Sequence, residues 1–141
     1  MILISHRGNT EGSNSLLENK PEYINEALAF GFDVEVDVRY TDGSLYLGHD
    51  ESQYLTNLEF LDNPRLWLHA KNGESLHFLL NHTKYSNVFW HQTDDFTLTN
   101  KGFIWTYPNK PLFKNSVCVA LKKDTIMYDC YGICSDYVKL Y

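Results

Sequence analysis

The sequence predicts an α/β fold, a compact barrel of parallel strands with several outer helices shortened or missing. Three observations carry this. Strand, helix and strand follow one another between residues 2 and 39, and more strand-like than helical segments come after them. The chain has 141 residues, whereas an eight-fold barrel with a full ring of helices takes at least ~200. An open α/β sheet is the structural competitor.

Ile2 to Ser5 is the first strand, and the polar NTEGSNS after it is a loop. The helix that follows has Asn19 as its expected cap, Pro21 in the first turn and Glu22 three residues beyond the cap. Ile24, Ala27 and Leu28 form its apolar stripe, and Gly31 suits the stop. GFDVEVDVRYTDG, residues 31 to 43, then alternates charged residues with valine. Asp33, Glu35, Asp37 and Arg39 share one side of that strand, because side chains alternate faces with period two. The charged side faces either water or the inside of a site. Strand, helix and strand in this order form a βαβ unit with parallel strands.

TDGSLYLGHD reads as a turn at Asp42-Gly43 and a short strand ending at His49. A weak helix covers Leu55 to Leu61, stopped before Pro64. RLWLHAKN is a strand with Trp67, His69 and Lys71 on one face, and GESLHFLLNH is helical. NVFWHQ, GFIWTY, SVCVAL and YGICSDYV are further strands. No repeat or linker divides the chain, so residues 1–141 are read as one domain.

Net charge is -6, and no basic run exceeds Lys122-Lys123. A surface that tracks nucleic-acid phosphates is excluded, since it needs a basic stripe. Cys118, Cys130 and Cys134 match neither a redox CxxC nor a common zinc pattern, and a reducing, cytoplasmic setting suits them. No segment approaches the ~18 apolar residues of a membrane span.

In parallel α/β folds the C-terminal strand ends build the site. Here those ends carry Ser5-His6-Arg7-Gly8, Glu35 and Asp37, His49-Asp50, His69-Ala70-Lys71 and His91-Gln92. Glu35 and Asp37 lie ~6.6 Å apart along a strand, close enough for both carboxylates to hold one hard cation. His6 and His49 suit a general base and acid pair. Arg7 and Lys71 offer positive charge to a phosphate. Imidazoles, carboxylates and cations together describe phosphodiester cleavage better than acyl transfer. No G-x-S-x-G, G-x-G-x-x-G or P-loop is present. HQTDDF at 91 to 96, with His91, is either a substrate contact or an exposed loop.

HRG at 6 to 8, EN at 18 and 19, and EALAFGFDVEVDVRYTDGSLYLGHD at 26 to 50 resemble the N-terminal signature of glycerophosphodiester phosphodiesterases. IWTYP at 104 to 108 and GICSDYVKLY at 132 to 141 resemble later family strands more loosely. The resemblance implies a barrel of the triosephosphate-isomerase type, akin to phosphatidylinositol phospholipase C. It implies His6 and His49 as catalytic residues and one divalent metal (Mg, Ca or Mn) on Glu35 and Asp37. It also implies a small phosphodiester substrate, with Trp105 stacking on a polyol.

Ser135 and Val138 depart from the family's terminal Thr and Pro, and one further departure bears on the metal. Where Glu-x-Lys is usual, the Glu being a metal ligand, this chain reads His69-Ala70-Lys71. Either His69 is a ligand and the metal differs, another acid such as Asp94 substitutes, or metal binding is weakened. The alternative to a hydrolase is a barrel that keeps a phosphate pocket without turnover. A barrel short of helices exposes apolar strand faces, which a homodimer would cover.

Overall fold

The computed structural model describes residues 1–124 and 126–141. Among these residues there are ten strands: β1 (Ile2–His6), β2 (Asp33–Thr41), β3 (Ser44–Leu47), β4 (Tyr54–Thr56), β5 (Leu66–Ala70), β6 (Asn87–Trp90), β7 (Phe96–Leu98), β8 (Ile104–Thr106), β9 (Ser116–Val119) and β10 (Gly132–Ser135). Among the described residues there are three α-helices, α1 (Pro21–Ala29), α2 (Leu58–Leu61) and α3 (Gly73–His82), and one 3-10 turn, Val138–Leu140.

Local chemistry accounts for most of these. Pro21 opens α1, whose Ile24 and Ala27 are buried, and Gly31 follows its end at φ +96°. Asn19 does not cap it; Lys20 holds that position without a side-chain bond. Asn72 caps α3 in a box with Ser75, and its amide also bonds Tyr40 at the end of β2. Asp42 and Gly43, at φ +50° and +78°, form the two-residue turn that pairs Thr41 with Ser44. The expected helix over 55 to 61 is instead β4 followed by the four-residue α2, capped by Asn57.

The strands form one mixed sheet in the order β6-β5-β2-β1-β10-β9-β8-β7. Pairings from β6 to β8 are parallel, whereas β7 runs antiparallel to β8. The nine-residue β2 pairs with β1 through its first half and with the β3 hairpin through its second. The sheet curls, but among the described residues no strand ladder joins β6 to β8.

The expectation of a triosephosphate-isomerase-type (β/α) barrel is therefore wrong. The molecule is a strand-rich, curled half-barrel whose helices do not alternate with its strands. Short connections between strands explain this. Residues 91–95 separate β6 from β7 and residues 107–115 separate β8 from β9, less than the ~10–12 residues a crossover containing a helix requires. Among the described residues, no helix is long and apolar enough to cross a membrane.

Two apolar clusters hold the sheet. Outside the curl, Val34, Val36, Val38, Leu66, Leu68 and Ala70 pack under Ile24, Ala27 and Leu79 of the helices. Inside it, Trp67, Phe89 and Trp105 pack with Ile4 and Val117, and the Phe89 and Trp105 rings stack at 4.6 Å. Period-two alternation thus sends the valines of β2 outward and its acids inward, above this aromatic floor. The charged face of β2 faces the inside of the curl.

Candidate active site

Three adjacent strands build the site through their register. His6 of β1 pairs with Glu35 of β2, and Asp37 of β2 pairs with His69 of β5. A cavity of about 530 Å³ opens above them, lined by His6, Arg7, Glu35, His49, His69, Lys71, His91 and Trp105 among others. Asp37 lies just beneath, fully buried. His6, Arg7, Glu35, Asp37, His49, His69, Lys71, His91 and Trp105 therefore lie together, whereas Asp94 does not line the cavity. Trp90, Tyr107, Val119, Leu121 and Cys134 give the cavity an apolar wall as well.

The HRG segment turns sharply from β1 into the loop. Arg7 sits at φ +57° and Gly8 at φ +94°. A Cβ on Gly8 would lie 2.6 Å from the Tyr23 ring, so only glycine fits there. This turn brings the Arg7 side chain back over the sheet. Its Nη1 is 3.2 Å from Glu18 and its Nε 2.8 Å from Asp37 Oδ2. The Nε–H does not point along that second line, so the contact is an ion pair without a hydrogen bond.

Asn19, at φ +62°, holds Asp37 from both sides. Its amide donates to Asp37 Oδ2 at 2.9 Å, and the Asp37 backbone N–H donates to Asn19 Oδ1 at 3.0 Å. Glu18 braces the first loop by accepting from Arg7, Asn9 and Ser13. Hydrogen bonds and the Arg7 charge keep its carboxyl below the usual range despite the opposing effect of burial.

His6 Nδ1 is 2.7 Å from Asp136 Oδ1, which also accepts from Asn9 at 2.8 Å. A carboxylate partner places the proton on Nδ1 and turns Nε2 to the cavity. Burial works against charge on this ring, but the Asp136 hydrogen bond and the Glu35 charge outweigh it and raise its pKa. Burial likewise opposes ionisation of Glu35. The charged groups around it, His6 and Arg7 among them, prevail, and it stays a carboxylate.

His49 lies on the loop after β3 with 39% of its side chain exposed, and its Nδ1 is 2.9 Å from Asp50. Gly48 before it, at φ +152°, passes so near the Glu51 carbonyl that a Cβ would sit 2.0 Å from that oxygen. Arg39 does not line the cavity; its guanidinium bonds the Gly48 and His49 carbonyls and fixes this loop.

Glu35 Oε2 and Asp37 Oδ1 are buried and accept no hydrogen bond. Leaving such atoms without a partner costs several kcal/mol, which marks a place for a cation. One donor atom each from Glu35, Asp37 and His69 lies within 4.8 Å of the others. Ligands ~2.0–2.6 Å from a shared ion lie at most ~5.2 Å apart, so the residues present fit a divalent metal. Asp94, the other candidate for a third acid, is exposed, and only its backbone carbonyl takes part, accepting from His91 Nε2 at 2.6 Å.

Trp105 is 3% exposed and belongs to the aromatic floor more than to a substrate platform. The sequence reading missed Asn9, Tyr107 and Asp136. Tyr107 lines the cavity and stacks on His91 at 3.7 Å. For Asp136 a signal existed, since it sits in the SDY segment at the end of β10. Comparisons of the chain with protein-family models, with curated proteins and with solved structures find no match.

Proposed function

We propose that this protein hydrolyses phosphodiesters, of which glycerophosphodiesters are the first to test, using His6 and His49 as an acid/base pair. One observation carries the reading: four imidazoles, His6 and His49 among them, two cationic side chains and a buried carboxylate line a single cavity, directly above a second buried carboxylate. The resemblance of the HRG, EVDV and GHD segments to glycerophosphodiester phosphodiesterases supports the same chemistry. Three free cysteines suit a cytoplasmic setting.

His6, with Asp136 on Nδ1, presents Nε2 to accept a proton from the attacking hydroxyl or water. His49, on the loop after β3 and beside Asp50, would give a proton to the departing alcohol. Lys71 and Arg7 lean on the phosphoryl oxygens as negative charge builds there. A divalent ion on Glu35, Asp37 and His69 would supply Lewis-acid stabilisation of that charge. The apolar wall gives the organic part of a substrate a surface to lie on.

The competing reading is a phosphate-binding module without turnover. The engagement of Arg7 with both Glu18 and Asp37 favours it, because a guanidinium so held has less to offer a phosphate. Steady-state hydrolysis of bis(p-nitrophenyl) phosphate by the parent, His6→Gln and His49→Gln separates the two. Loss of an acid or base lowers kcat about 10²–10⁴-fold. Equal rates in all three proteins would refute the assignment.

A further inference from the structure

The His69 ring stacks on Phe89 at 4.8 Å, and its Nε2 lies 3.1 Å from the backbone carbonyl oxygen of His91. A carbonyl can only accept, so Nε2 carries the proton. In the neutral ring Nδ1 then carries a lone pair. That lone pair faces Glu35 Oε1 at 3.4 Å and Asp37 Oδ1 at 3.5 Å. Asp37 Oδ1 is one of the buried oxygens without a hydrogen bond.

Three electron-pair donors that converge in a buried space repel unless something positive lies among them. A proton on Nδ1 would serve poorly, because both contacts are longer than the ~2.7–2.9 Å of a charge-assisted hydrogen bond. A metal ion suits the spacing. A histidine whose second nitrogen donates to a backbone carbonyl is also the usual arrangement of an imidazole ligand.

The charge present narrows which ion. Glu35 and Asp37 bring two negative charges, while Arg7 at 2.8 Å and Lys71 at 3.9 Å from Asp37 offset part of them. Hard ions depend on carboxylate number for affinity, and Mg²⁺ gives up water reluctantly. Imidazole suits transition ions better. We propose that His69, locked by the His91 carbonyl as the Nε2–H tautomer, is the third ligand of a Glu-Asp-His centre. That centre takes Mn²⁺, Co²⁺ or Zn²⁺ in preference to Mg²⁺ or Ca²⁺.

The inference deepens the metal part of the phosphodiesterase reading, but its test is binding and needs no turnover. Metal-stripped protein is titrated calorimetrically with Mn²⁺, Mg²⁺ and Ca²⁺, alongside His69→Glu. Mn²⁺ should bind the parent at least about tenfold tighter than Mg²⁺ or Ca²⁺, and His69→Glu should shrink that ratio. A measurement on the parent alone guards against a variant that fails to fold. In long-range ¹H–¹⁵N spectra, stoichiometric Zn²⁺ should shift the Nδ1 resonance of His69 and leave its Nε2 protonated. Equal affinities for Mn²⁺ and Mg²⁺, no divalent binding, a ratio unchanged in folded His69→Glu, or an unmoved His69 Nδ1 would each overturn it. Tight Mn²⁺ binding without hydrolysis would instead sink the phosphodiesterase reading and leave this one standing.

Discussion

Asn19 offers the sharpest stability test. It is 1% exposed, and both ends of its amide are spent on Asp37. Replacing it with glycine is the cleanest perturbation, because glycine accepts the φ of +62° that alanine would resist. Two things are then lost. The bond from Nδ2 to the Asp37 carboxylate contributes about 1.5–3 kcal/mol, and the Asp37 backbone N–H, left buried without an acceptor, costs about 1–3 kcal/mol.

The sum is about 2.5–6 kcal/mol, a large share of the ~5–15 kcal/mol that holds a domain together. At roughly 3 °C per kcal/mol for a chain of this length, the melting temperature should fall by about 8–18 °C. Urea unfolding of parent and Asn19→Gly, followed by tryptophan fluorescence, gives the difference directly. A loss under about 1 kcal/mol would refute the reasoning and would mean that water or Arg7 replaces the amide at no cost.

Asp62 gives the pH dependence. Its Oδ1 accepts from the backbone N–H groups of Lys84, Tyr85 and Ser86, which hold its pKa below the usual range against the opposing effect of burial. A depressed carboxyl contributes stability that is present above its unfolded pKa of ~3.9 and is lost as pH falls through the folded value. Asp62→Asn should cost about 1–2 kcal/mol at pH 7, discounted for partial exposure, and the gap to the parent should close as pH falls through the lowered folded value; a gap independent of pH would contradict this. Asp136→Asn removes the group that sets the His6 tautomer, so kcat for a phosphodiester should drop on the order of 10²-fold or more with KM little changed. An unaltered kcat would show that Asp136 does not position His6.

Period-two alternation made the two faces of β2 legible, but it was the family resemblance, not the alternation, that turned the acids toward a site. α3 was legible from its helical pattern, whereas its Asn72 cap was not singled out. β7 was not, since its three residues follow the polar HQTDDF and pair only through β8. The extent of sheet closure was hidden for a similar reason. It depends on which distant strands meet, and length alone left a barrel and an open sheet both standing. Asn19 carried an ambiguous signal, because the amide that caps a helix also clamps a buried carboxylate. Asp136 meets His6 across 130 residues of sequence, a pairing no local pattern encodes. The His69 tautomer rests on a backbone carbonyl, so nothing in the side-chain pattern could reveal it.

The central claim is that this cavity cleaves a phosphodiester with the help of a cation on Glu35 and Asp37. The most direct measurement incubates metal-stripped protein with glycerophosphocholine, with and without Mn²⁺, quenches with chelator and reads the products by ³¹P NMR. A phosphomonoester resonance should appear only with the metal, and should be absent in Glu35→Gln/Asp37→Asn. No monoester from the folded, Mn²⁺-loaded parent, or equal hydrolysis in the double variant, would contradict the account.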